Sequence, residues 1–114
     1  MKIIDFLDKS SIIKSYEVLD FKEWSNGVYY KIHANFINDS ELHIREYIDE
    51  KERKYSYHWQ KSKGDLIIRW DNAPYHDQIE THPHHKHVKH KIIKSKKVAL
   101  NDILNFIENK ITTK

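Results

Sequence analysis

The clearest pattern in the chain lies between Val28 and Phe36, where Val28, Tyr30, Ile32, Ala34 and Phe36 alternate with Tyr29, Lys31, His33 and Asn35. A period of two marks a strand with one buried face. The alternation returns with Leu42, Ile44 and Ile48 against His43, Arg45 and Tyr47, and again with Tyr55, Tyr57 and Trp59 against Ser56 and His58. Leu66 to Trp70 reads as a further strand, and Tyr16, Val18 and Phe21 suggest one over Ser15 to Trp24. Ser25-Asn26-Gly27, Asn38-Asp39-Ser40, Asp49 to Glu52 and Lys61 to Gly64 supply the turns between them. At the ends the period changes. Ile3, Ile4, Phe6 and Leu7 recur at helical spacing before Ser10-Ser11, while Val98, Leu100, Ile103, Leu104, Phe106, Ile107 and Ile111 form the broad stripe of an amphipathic helix that covers the sheet. The expected fold is α+β, a single domain over residues 1–114. It comprises a curled antiparallel sheet of about five strands, a short N-terminal helix and a C-terminal amphipathic helix.

Within this pattern a few positions carry chemistry. A three-residue loop at Asn38 to Ser40 would set His33 opposite Arg45 and Asn35 opposite His43, giving the sheet a polar face. Glu46 falls on the apolar side of its strand, where a carboxylate is either paired to hold the fold or kept as an acid or base with a raised pKa. Tyr55, Tyr57 and Trp59 are either core or a base-stacking platform.

Composition narrows the classes. At 114 residues the chain buries one core, and without cysteine it has neither disulfides nor thiolate zinc sites. Acids interrupt the first apolar residues, so no membrane span is expected and a cytoplasmic location is the default. The net charge of +3 is unevenly placed: Thr81 to Lys97 holds six lysines, five histidines and no acid. Such a run attracts phosphate backbones or an acidic partner, and Lys86, Lys89 and Lys91 within it are the expected nucleic-acid contacts.

Six of the nine histidines lie between Trp70 and His90. Asp71-Asn72-Ala73-Pro74 reads as a fixed turn at a strand end. Beyond it, alternate imidazoles share one side of an extended segment, so His85 and His87, or His82 and His84, could share a metal. Their spacing matches neither a zinc finger nor a helical metalloprotease motif, and no cofactor is expected. A metal-independent ribonuclease needs a base for the 2'-hydroxyl, a cation on the phosphate and an acid for the leaving oxygen. His76, His84, His85, His87, Arg69, Lys86 and Arg45 are of the types that fill those roles.

The ordered stretches Arg45-Glu46-Tyr47, Tyr55-Ser56-Tyr57-His58-Trp59-Gln60, Arg69-Trp70-Asp71-Asn72-Ala73-Pro74 and His82-Pro83-His84-His85-Lys86-His87 closely resemble the TumE-like toxins of toxin-antitoxin pairs. Tyr75-His76 stands where that family commonly has a His-His pair. The resemblance implies a growth-inhibiting toxin neutralised by a cognate antitoxin, which often carries a helix-turn-helix domain. RNA cleavage follows only by analogy with other small toxins. Carried over residue by residue, the candidate site is Arg45, Glu46, His58, Arg69, Asp71, Asn72, His76, His84, His85 and His87. Glu46 or a loop histidine would be the base, Arg45 and Arg69 the phosphate clamp, and Lys86 an electrostatic helper. Two rival classes stand beside it: a non-catalytic module that grips nucleic acid or antitoxin, and a metal-dependent hydrolase built on the histidines and Asp71.

Overall fold

The computed structural model describes residues 2–72, 84–88, 91–95 and 97–112, excepting the side chains of Lys2 and of 91–94. Helix α1 (Lys2–Lys9) leads into β1 (Ile13–Trp24), β2 (Gly27–Phe36), β3 (Glu41–Asp49), β4 (Arg53–Gln60), β5 (Leu66–Asp71), β6 (His85–Val88) and β7 (Lys91–Lys94), and α2 (Leu100–Thr112) closes the chain. Each strand pairs antiparallel with its sequence neighbour, giving one sheet in the order β1 to β7. The α+β architecture with a helix at each end is the one the periodicity predicts. The sheet is open, with β1 and β7 at its edges, and it has seven strands where about five were expected. The two additional strands come from the histidine-rich segment.

The alternation places one face of β2, β3 and β4 in the core. Ile32, Ala34, Phe36, Leu42, Ile44 and Tyr57 are sealed there, together with Leu7 of α1 and Ile103 and Ile107 of α2. Phe106 of α2 meets Trp59 and Trp70 edge-on, at 6.4 and 5.5 Å between ring centroids, an arrangement favoured by the ring quadrupoles. At the start of α2 the Asp102 carboxylate accepts from the Ala99 backbone N–H at 2.8 Å, satisfying a donor at the helix entry. Tyr55, Tyr57 and Trp59 are thus core and not a stacking platform. None of the helices among the described residues is long and apolar enough to cross a membrane.

One local expectation is corrected. The β2–β3 register sets His33 opposite His43, Lys31 opposite Arg45 and Asn35 opposite Glu41. The loop is Ile37 to Asp39, closed by Phe36 N–H donating to Ser40 O at 2.9 Å, with Asp39 in the left-handed region at φ 69°. Ser40 therefore joins the strand side, where its hydroxyl accepts from Trp59 Nε1 at 3.0 Å. The strand expected over Ser15 to Trp24 is present as β1, an edge strand on which Val18 and Phe21 are exposed.

Glu46 is buried on the helix-covered face. Its carboxylate accepts from Arg53 Nε at 2.6 Å, from Tyr57 Oη at 3.1 Å and from the Tyr30 hydroxyl in a short contact. Arg53 also donates to Val98 O at 2.8 Å and lies over the Tyr55 ring. Burial, then the Glu46 charge, pushes the Tyr30 and Tyr57 phenols well above their usual range, and burial pushes Tyr55 up to about 12. The folded protein therefore holds these protons more tightly than the unfolded chain, whose phenols titrate near 10. Their contribution is complete below that pH and is lost as pH rises from about 10 toward the folded values. Each phenol steepens the loss by about 1.4 kcal/mol per pH unit. The melting temperature is expected to fall steeply above pH 10, and Tyr57→Phe to flatten the decline. Calorimetric scans between about pH 9 and 12 read both.

Candidate functional site

The face of the sheet away from the helices is polar, and its side chains line up across the strands. His33, His43, His58, Arg69 and His87 occupy consecutive register positions on β2, β3, β4, β5 and β6. A second row beside it runs Lys31, Arg45, Ser56, Asp71 and His85. Adjacent strands lie about 4.8 Å apart, so each side chain is within reach of its neighbours in the row. Lys31, His43, Arg45, Ser56, His58 and Arg69 line an open cleft of about 340 Å³ whose described lining contains no acidic residue.

Asp71 anchors one end of this face. It is the last residue of β5, 5% exposed, and its carboxylate faces three groups that can carry positive charge. Arg69 Nε donates to Oδ2 at 3.1 Å, His87 Nε2 lies 3.3 Å from Oδ2, and His85 Nε2 lies 2.7 Å from Oδ1. His85 is itself buried, at 2% exposure. The antiparallel pairing of β5 with β6 produces this convergence, since it sets Asp71 opposite His85 and Arg69 opposite His87. The alternation expected for His85 and His87 is thus realised in β6, and the donor atoms of Asp71, His85 and His87 lie within 4.8 Å of one another, close enough to hold a cation.

His58 lies against Arg69, with its Nδ1 3.4 Å from Arg69 Nη1. Burial and then the Arg69 charge lower its pKa, partly opposed by a hydrogen bond with Gln60, so the ring is neutral at pH 7. His43 is also lowered, by burial first and then by His33 and His58. The polar face thus carries permanent guanidinium charge beside uncharged imidazoles that can donate or accept a hydrogen bond.

Of the residues expected at the site, Arg45, His58, Arg69, Asp71, His85 and His87 share this face. The other described candidates do not join them. Glu46 is on the opposite face, engaged by Arg53. Asn72 carries the ladder on past the end of β5 with its side chain, accepting from Tyr55 N–H at 2.9 Å and donating to Arg53 O at 2.6 Å. His84 lies against Tyr55, its Nδ1 2.8 Å from the hydroxyl and the two rings stacked. Lys86 pairs with Trp70 and so falls on the helix-covered face. Lys91 opens β7 opposite Val88, while His76 and Lys89 lie outside the described residues. The structure adds Lys31 to the cleft and His33 and His43 to the histidine row. The signal for them in the sequence was their place on the polar side of an alternating strand.

A family model described as toxin TumE matches residues 3–111, nearly the whole chain. No curated protein and no solved structure is significantly similar to it.

Proposed function

Because this chain belongs to the TumE family of toxins, and is thereby the toxin of a toxin-antitoxin pair with a cognate antitoxin as partner, we propose that it arrests growth by cutting RNA at the polar face of its sheet. The observation that carries this reading is the cleft with Lys31, Arg45 and Arg69 and no described acid, flanked by His58 and by the Asp71-held His87. A phosphodiester seated there meets two guanidiniums, which match its oxygens in geometry as well as charge. Asp71 engages Nε2 of His87 and so orients the ring to accept a proton at Nδ1, as a carboxylate does in other acid–base pairs.

In this mechanism His87 takes the proton of a ribose 2'-hydroxyl, and the 2'-oxygen attacks the adjacent phosphorus. The bond to the 5'-oxygen breaks, that oxygen takes a proton from water, and a 2',3'-cyclic phosphate remains. Arg45 and Arg69 spread the charge of the pentavalent phosphate. Neutral His58 donates a hydrogen bond to it, with its Nδ1 turned toward Arg69. Asp71 and His85 are positioning residues, and the antitoxin in this reading is a helix-turn-helix protein.

A metal-dependent reading has one specific observation in its favour, the convergence of Asp71, His85 and His87 within 4.8 Å. Incubating purified, antitoxin-free protein with cellular RNA, with and without chelator, separates the readings. The expected result is cleavage to cyclic-phosphate ends that ignores the chelator. Cleavage abolished by chelator and restored by a divalent ion would transfer the role to a metal. Intact RNA with growth still arrested would leave a binding module or another target.

A further inference from the structure

We propose that His33, Glu41 and His43 form a zinc site on the polar face, at the edge of the cleft that His43 lines and apart from the Asp71 cluster. His33 and His43 are opposed in register on β2 and β3, their rings stacked with centroids 4.5 Å apart and planes 8° from parallel. Glu41 is on the same face two residues before His43, and its Oε1 lies 3.0 Å from His33 Nε2. The other oxygen, Oε2, accepts from Gln60 Nε2 at 3.1 Å, which fixes the carboxylate as an outer partner fixes a ligand in metal sites.

The three donor atoms lie within 4.8 Å of one another. Zinc bonds of about 2.0–2.2 Å in a tetrahedral arrangement set donors roughly 3.3–3.5 Å apart. Small side-chain rotations that tilt the two rings toward a common point close that gap, with no change in strand pairing. Two imidazoles and one carboxylate are a donor set suited to zinc, and the half-exposed position of all three leaves the fourth coordination place to water. The ligands stand on paired strands, a more rigid support than a loop. His33 is three strands from Asp71, on the order of 14 Å at ordinary strand spacing, so the two clusters do not share an ion.

The test is metal binding by the untagged full chain, followed by calorimetry with zinc chloride and by the visible absorption of added cobalt(II). One ion is expected to bind these residues with a tetrahedral cobalt spectrum. His33→Ala and His43→Ala should each weaken it by about tenfold or more, Glu41→Gln by less, and His87→Ala should leave it bound. Melting curves without metal check that the variants fold, and the partial exposure of His33 and Glu41 makes folding the expected result. No binding by the parent chain, or binding unmoved by His33→Ala and His43→Ala, overturns the proposal. Neither outcome touches RNA cleavage, which is read in a separate assay.

Discussion

Arg69→Ala is expected to abolish growth arrest and to slow RNA cleavage by about 100- to 1,000-fold, the usual cost of removing one donor aimed at developing charge. Arg69 stands between His58 and His87 in the cross-strand row and lines the cleft, which puts its charge beside both imidazoles of the proposed chemistry. Its loss should not unfold the protein, because Asp71 retains His85 at 2.7 Å and His87 at 3.3 Å and the guanidinium is partly exposed. Arg69→Lys restores a charge but neither the planar fork nor the Nε contact to Asp71, and should fall between the two. Single-turnover cleavage, with a melting curve for each variant, reads the effect. Wild-type turnover by a folded Arg69→Ala protein would end the proposed mechanism.

Glu46→Ala should act in the opposite sense, costing about 3–5 kcal/mol of stability. The change leaves the Arg53 guanidinium half-buried without its carboxylate and takes an acceptor from the Tyr30 and Tyr57 hydroxyls. Against a total stability of about 5–15 kcal/mol for a domain, a loss of that size leaves a large unfolded fraction at growth temperature. Replacing Glu46 and Arg53 together by methionine should recover much of it, since an apolar pair of similar volume needs no hydration. Urea titration of the single and double variants measures both. Glu46→Gln that still folds should cleave RNA normally, because the carboxylate is on the wrong side of the sheet to reach the cleft.

The strands with strict alternation were legible because burial of one face leaves no other side of the sheet for Ile32, Ile44 and Tyr57. The β2–β3 loop was misplaced by one position because Asp39, and not Ser40, takes the left-handed backbone at its end, so that the three-residue loop begins at Ile37. Strands β6 and β7 were not foreseen. His85-Lys86-His87-Val88 has a single apolar residue, and its strand is made by pairing with β5 and by burial of His85 against Asp71, both long-range. Arg53 as the partner of Glu46 was not foreseen, although the expected turn at Asp49 to Glu52 already sets Ile48 opposite Arg53 and so brings Arg53 to the face of Glu46. The candidate site was half legible. Arg45, Arg69, Asp71, His85 and His87 carried their chemistry in their identity, whereas His33, His43 and Lys31 acquire theirs only from neighbours on adjacent strands.

The strictly sequential order of the strands bears on when this protein becomes dangerous during its own synthesis. A nascent chain released as far as β4 already owns Lys31, Arg45 and His58, but Arg69, Asp71 and His87 are still to come from β5 and β6. The aromatic floor beneath β4 and β5 then waits for Phe106, which arrives with the final helix. On the proposed mechanism, competence is therefore gained at the end of translation and not gradually along it.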